Sequence, residues 1–377
     1  MTGAFYSQNL AEGASITAMK RPFYFLAEPL VGRRLLQPQD LDPSKVKRVL
    51  VVRQHDQLGD FLLSTPLFPA LKARFPGCHL GVLVRGYFAQ LLEGHPDVDE
   101  TLVWKPSGGW NMKKVREFWA SLRSSWDLVI VPNTVSHSLT SDLLARLTRS
   151  PWVLGSSHRV FPGAKRNFLY DLEAPYRKGD RHQTDRNLDI LAPLGVGSAD
   201  RSPRMTLTSE EMDQAQKTLA LLGLDLDRPA VGLHLGAGKK ENRWPLGRFA
   251  ELAEIIRSRG AQVVVTWGLG EGDLARRFQS LDPGPTVVAG APAIRPLAAI
   301  FKALTAVVVN DTGMLHLAAA VGTPLVGVFG PTDPVEWLPI GEKFLAVRGP
   351  ENSVSLAKAR DVAKKLVGLL PVKSNAE

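Results

Sequence analysis

Cys78 is the single cysteine in a chain of 377 residues, so no disulfide can form within it and no cysteine-based zinc site can be built. A lone thiol fits a reducing compartment. No run of about 18 apolar residues offers a membrane span, and the first residues lack the basic-then-apolar layout of a secretion signal. A cytoplasmic protein is therefore expected. There is no GxxxxGK(S/T) loop and no G-x-G-x-x-G at the first helix, which argues against a P-loop hydrolase and a nicotinamide enzyme. The eight histidines show no HExxH or related spacing, so no metal site is read. Asp-Leu-Asp at 40–42 and 225–227 and Asp-Val-Asp at 97–99 mimic a metal-binding Asp-x-Asp. Each lies in a turn rather than at an apolar strand end, and chance explains them. Neither a helix-turn-helix nor an RNP-type aromatic sheet is present, so no nucleic-acid partner is expected.

What the chain does have is an excess of base. Lys plus Arg number 46 against 37 for Asp plus Glu, a net charge of +9, which suits anionic partners. With 44% hydrophobic and 22% charged residues, the composition is that of a globular protein with a sizeable core. Its length favours two domains. The segment KRPFYFLAEPLVGRRLL (20–36) mixes basic, aromatic and aliphatic residues. Peripheral contact with an anionic membrane face and an arm packed on the first domain are both open readings.

After an extension over residues 1–45, a strand–helix grammar begins. VKRVLVV (46–52), CHLGVLV (78–84) and WDLVIVP (126–132) read as buried parallel strands. Between and after them come FLLSTPLFPALKARF, GYFAQLLEG and SDLLARLTR, which read as helices. The grammar restarts at PAVGLHLG (229–236), with strands QVVVTWG (262–268), TAVVVND (305–311) and PLVGVFG (324–330). Such alternation implies α/β architecture, two Rossmann-like doubly wound domains facing a shared cleft. The expected division is 1–45 extension, 46–205 N-terminal Rossmann-like domain, 206–352 C-terminal Rossmann-like domain, and 353–377 C-terminal helix and tail.

Three strand–turn–helix segments carry chemistry. In VVRQHDQLGDFLLSTP, Asp60 stands where a helix begins. It reads either as a helix cap or as a general base that takes a proton from a hydroxyl, with His55 and Asp56 as competitors in the same turn. In VVVNDTGMLHLAAAVGTP, Thr312 and Gly313 open a helix whose free N–H groups and dipole suit phosphate oxygens. Asp311 either caps that helix or binds a ligand hydroxyl, and His316 either reaches a phosphate or packs. In HLGAGKKENRWPLGRFAELA, Lys239, Lys240 and Arg243 precede a helix, where cations suit a diphosphate; a solvated basic loop is the plain alternative. His55 and Asn133, the latter in VPNTVSHSLTSDLL (131–144), are further polar candidates.

These segments resemble the bacterial ADP-heptose:lipopolysaccharide heptosyltransferases, glycosyltransferases of the GT-B fold. The resemblance rests on LGDFLLSTPLFPALKARFPG, RHQTDRNLDILAPLG, HLGAGKKENRWPLGRFAELA, VVTWGLGEGDLARRF and NDTGMLHLAAAVGTPLVGVFGPTDPVEWLP, in the family's order over most of 46–340. It implies Asp60 as the base for the acceptor hydroxyl, with Thr312, Gly313 and His316 at the donor diphosphate and Asp311 beside them. Glu271 is implied at the donor ribose, and His55 and Asn133 on the acceptor side. It further implies a single inverting displacement without cofactor or metal, from a nucleotide-diphosphate sugar to a lipopolysaccharide core or related glycan. The sequence departs from the family pattern at Asn242, where a lysine is usual, and lacks an Asp-x-x-Gly after WDLVIVP. Other readings keep the fold with another nucleotide sugar, with epimerisation, or with binding alone.

Overall fold

The structure, a computed structural model, describes residues 32–371 apart from 55–56, 106–108, 110, 159–165, 198–199, 269 and 291–292. It contains two six-stranded parallel sheets. The first comprises β1 (Arg48–Arg53), β2 (His79–Arg85), β3 (Glu100–Trp104), β4 (Leu128–Val131), β5 (Trp152–Ser156) and β6 (Leu172–Ala174) in the order β3-β2-β1-β4-β5-β6. The second comprises β7 (Ala230–His234), β8 (Gln262–Thr266), β9 (Val287–Val288), β10 (Ala306–Asn310), β11 (Leu325–Phe329) and β12 (Phe344–Arg348), in the order β12-β11-β10-β7-β8-β9.

Counted within each domain, both sheets have the order 3-2-1-4-5-6. In such a sheet the connections leave in opposite directions from the first and fourth strands, and a crevice opens at their carboxyl ends. The two crevices here lie after β1 and β4, and after β7 and β10. Every segment singled out around Asp60, Asn133, Lys239 and Asp311 follows one of these four strands.

The strands form because their side chains are buried on both faces, which favours uninterrupted β-branched and aliphatic runs. In β1, Val49 and Val51 face one apolar cluster and Leu50 and Val52 another, all four fully buried. The cluster holding Val49 and Val51 continues into the second domain through Leu315, Leu317 and Ala318. The bridge is the contact between the helices Leu58–Leu62 and Gly313–Ala320.

Polar links reinforce this junction. Arg295 is 7% exposed, pairs with Glu211, and donates to Gln90 O at 2.5 Å and Thr206 O at 3.0 Å. His182 accepts the Thr184 amide at Nδ1, which leaves Nε2 to donate to Leu338 O at 2.7 Å. The closing helix Ala359–Val367 packs on the helix Leu246–Ser258.

Two expectations of local structure are corrected. The stretch read as one helix from Phe61 is two helices, Leu58–Leu62 and Leu67–Arg74. Pro66 cannot supply an amide to continue the ladder, and the Ser64 and Thr65 hydroxyls donate instead to Phe61 O and Leu62 O. Asp60 is not the cap of the first of these. Gln57 holds that position, and Asp60 lies in the first turn. Of the segment 20–36, residues 20–31 lie outside the described residues. Beyond them Arg33 and Leu36 donate backbone hydrogen bonds to Phe168 O and Asp171 O of the first domain.

Candidate active site

Between the two crevices lies one open cleft of about 730 Å³. The first domain contributes Gln57, Gly59, Asp60, Tyr87 and Val135. Opposite them stand Gly236, Lys239, Arg243, Glu271, Asp311 and Thr312–Gly313. The fold thus brings Asp60 and most of the donor-side candidates to a single space. His55 lies outside the described residues. Lys240 is exposed in the short turn Lys240–Asn242 and is not part of the cleft lining. Asn133 is buried and donates to Asp142 Oδ1 at 3.4 Å, also away from the lining. Asp142 is fully buried and accepts from Tyr170 Oη at 2.6 Å and Asn167 Nδ2 at 2.8 Å as well. This places Asn133 within a buried network.

Asp60 is held in a partly dry environment. Burial pushes its carboxyl above the ordinary carboxylate value, opposed by the Arg53 guanidinium and by a hydrogen bond from the Gln57 amide. Desolvation of this kind strengthens a carboxylate as a base.

The second domain's wall is organised by two asparagines. Asn310 is fully buried at the end of β10. Its Oδ1 accepts the Trp244 amide at 3.0 Å, and its Nδ2 donates to Leu235 O at 3.1 Å and Gly236 O at 3.0 Å. Asn310 therefore ties together the loops after β7 and β10. Asn242 is buried too, and donates to Asp311 O at 3.0 Å and to its Oδ2 at 3.2 Å. Thr332 donates to the same carboxylate. Burial raises the Asp311 carboxyl, countered by Thr332 and by the charge of Lys239. At position 242 the side chain serves Asp311 rather than projecting a charge, so the cations in the lining are Lys239 and Arg243.

Glu271 closes the far end. Its Oε1 pairs with Arg243 Nη2 at 2.9 Å, and its Oε2 accepts the Gly268 amide at 3.1 Å. A Cβ at Gly236 would lie 1.8 Å from that Oε2, so only glycine lets the carboxylate sit against this turn. Arg243 is fixed further by donating from Nε to Ala237 O at 2.8 Å.

Thr312 is the N-cap of Gly313–Ala320 without a side-chain cap bond. The Leu315 amide donates back to Thr312 O at 3.0 Å, and the Gly313 and Met314 amides ahead of it are the ones that suit an anion. His316, 3% exposed, packs its ring against Gly59, and burial lowers its pKa to about 3. It is neutral at physiological pH, so any phosphate contact is through an N–H donor rather than a charge.

The sequence reading missed several lining residues: Tyr87, His234, Thr332 and Trp337. His234 ends β7, the one available signal, since the carboxyl edge of a switch-point strand points into the crevice. Its Nδ1 lies 3.0 Å from Thr266 Oγ1, and burial lowers its pKa to about 4. Among the described residues, no three His, Cys, Asp or Glu side chains gather into a group able to hold a metal ion.

Two doubly wound domains with facing switch points, a carboxylate on one wall and cations with an anion-suited helix start on the other, define a GT-B glycosyltransferase. The chain belongs to glycosyltransferase family 9 (heptosyltransferase), whose profile matches residues 115–366. It is 27% identical to lipooligosaccharide heptosyltransferase 2 of Haemophilus influenzae, over 81% of this chain and 89% of that protein. Among solved structures it is similar to a family 9 glycosyl transferase from Veillonella parvula, with a TM-score of 0.73 and 23% identity over 87% and 98% of the two chains. It is similar also to the E. coli ADP-heptose lipopolysaccharide heptosyltransferase II, with a TM-score of 0.68 and 22% identity over 85% and 98%.

Proposed function

We propose that this glycosyltransferase moves a heptose from ADP-heptose to a lipopolysaccharide core or related glycan acceptor, by a single displacement that inverts the anomeric carbon and uses no metal. The observation that carries the reading is the shared cleft, in which Asp60 faces Lys239, Arg243, Glu271 and the Thr312–Gly313 turn. The acceptor hydroxyl oxygen attacks the anomeric carbon, its proton passes to the Asp60 carboxylate, and the bond from that carbon to the diphosphate oxygen breaks. Negative charge then builds on the departing diphosphate. Lys239, Arg243 and the first-turn amides of Gly313–Ala320 neutralise it, as preorganised donors do in such reactions. Glu271 accepts the ribose hydroxyls, and Asp311 orders the turn. The family and the Haemophilus relative support heptose as the sugar and lipopolysaccharide as the acceptor class.

Among the described residues no helix is long and apolar enough to cross a membrane. We place the enzyme in the cytoplasm, with its basic surface meeting a membrane-held acceptor at the inner leaflet.

Calorimetric titration with ADP-, UDP-, GDP- and CMP-sugars tests the donor. ADP-sugars are expected to bind, and a clear preference for another base would remove ADP-heptose. In the same titration Gly236→Ala is expected to weaken ADP-heptose binding roughly tenfold or more, because the new methyl displaces Glu271 from two partners. Unchanged affinity would dissociate Glu271 from the donor.

A further inference from the structure

The last residue of β1 is a buried arginine that the reaction outlined above does not use. Arg53 is 4% exposed. Its Nη1 donates to Pro132 O at 2.5 Å and its Nη2 to Asp60 O at 2.9 Å. Pro132 begins the loop after β4, and Asp60 stands in the helix after β1. The planar fork of one guanidinium therefore joins the two sides of the first domain's crevice, a task that its rigid geometry suits and that a flexible ammonium performs less well. A buried charge is costly unless it is matched, so its placement under the crevice calls for a reason beyond packing.

We propose that Arg53 is a positioning residue for Asp60: its guanidinium fixes the crevice around the base and sets a positive charge close to the base's carboxylate. The role rests on the reading of Asp60 as the general base. Physically, the arginine offsets the desolvation that Asp60 incurs. Without that charge the carboxyl would hold its proton to higher pH, and a base must be ionised to accept one. Activity would then be lost sooner as pH falls.

The other titratable groups lining the cleft do not share this partner. His234 and His316 are neutral above about pH 4 and about pH 3 respectively. Tyr87 is raised by burial, away from the acid range. Asp311 is also raised, but it answers to Thr332 and Lys239. Glu271, Lys239 and Arg243 belong to the donor wall.

The test is an NMR titration of aspartate-labelled protein, with the Asp60 carboxyl signal assigned by its loss in Asp60→Asn. It is read beside kcat for transfer from ADP-heptose to heptose-deficient lipopolysaccharide. In Arg53→Gln, which keeps a donor but no charge, Asp60 is expected to titrate roughly one pH unit higher, and kcat to fall most on the acid side. In Arg53→Lys the titration is expected to stay in place, while kcat falls several-fold because one ammonium cannot make both carbonyl bonds in the same geometry. An Asp60 titration unmoved in Arg53→Gln overturns the proposal. Should that variant fail to fold, Arg53→Lys with the kcat of the unaltered enzyme overturns it equally. Full turnover in Asp60→Asn would instead remove the base assignment, and the titration would still report whether Arg53 governs that carboxyl.

Discussion

Asp60→Asn is expected to reduce kcat by roughly 10²–10⁴-fold, the usual contribution of a positioned general base. The change is almost isosteric, so the helix Leu58–Leu62 and its contact with Gly313–Ala320 should persist. What disappears is the carboxylate proposed to receive the acceptor proton. Donor affinity should stay within a few-fold of the original, since the groups proposed to hold the donor stand on the second domain's loops. The pH profile of the unaltered enzyme follows from the same residue. Asp60 titrates above the ordinary carboxylate value because burial disfavours its charge. Activity is full where the carboxyl is ionised and is lost as pH falls through that raised value. In Asp60→Asn the residual rate should lack this acid limb. A variant with unchanged kcat and the same limb would move the base elsewhere, and His55 and Asp56 in the same turn would be the next residues to test.

Gly59→Ala should have the second-largest effect, through geometry rather than chemistry. A Cβ at residue 59 would lie 2.6 Å from His316 Cδ2 and 3.0 Å from its Nε2. That ring is buried and cannot swing away into solvent. The reciprocal contact is as tight, because a Cβ at Gly313 would lie 2.9 Å from Leu58 Cβ. The two glycines therefore let the helices Leu58–Leu62 and Gly313–Ala320 approach closely. Overpacking of this kind costs about 1–3 kcal/mol of stability. The kinetic penalty is expected to be larger, since the residue beside the base is pushed away from the donor wall. A misplacement of about 1 Å can reduce rate by roughly 10²-fold. Denaturant unfolding and steady-state kinetics on one preparation read both effects. Gly247→Ala is the control. No heavy atom lies near its would-be Cβ, so that variant should keep its stability and its kcat. Equal behaviour of the two variants would mean that the domain junction tolerates spreading without loss of geometry.

The difference between these glycines shows which features were legible in the sequence. Strands with both faces covered announce themselves as apolar runs, and β1, β2, β4, β7, β8, β10 and β11 were all visible that way. Glu100–Trp104 was not visible, because it is an edge strand with only Leu102 fully buried. Neither were β5, whose buried run WVLGS ends in glycine and serine, the edge strand β12, or the short β6 and β9, of three and two residues. Sheet order was out of reach, since it depends on which crossovers run to which side, and that order is what brings the loops after β1, β4, β7 and β10 to one place. Residues in the glycine turns after β1, β7 and β10 were found from the turns themselves. Arg53 was hidden because it ends a strand as any charged residue does, and its meaning lies in Pro132, far away in sequence. Tyr87 and Trp337 were hidden for the same reason, as each reaches the cleft from an element that looks unremarkable locally. Asn242 carried a real signal as a departure from the family pattern, but only its hydrogen bonds to Asp311 show what the side chain does there.

Whether this cleft joins a donor heptose to a lipopolysaccharide-type hydroxyl is read from the mass of the acceptor. After incubation with ADP-heptose and heptose-deficient lipopolysaccharide, the acceptor is predicted to gain one heptosyl unit for each ADP released. ADP-heptose left intact, or consumed with the acceptor mass unchanged, would rule out heptosyl transfer to this acceptor.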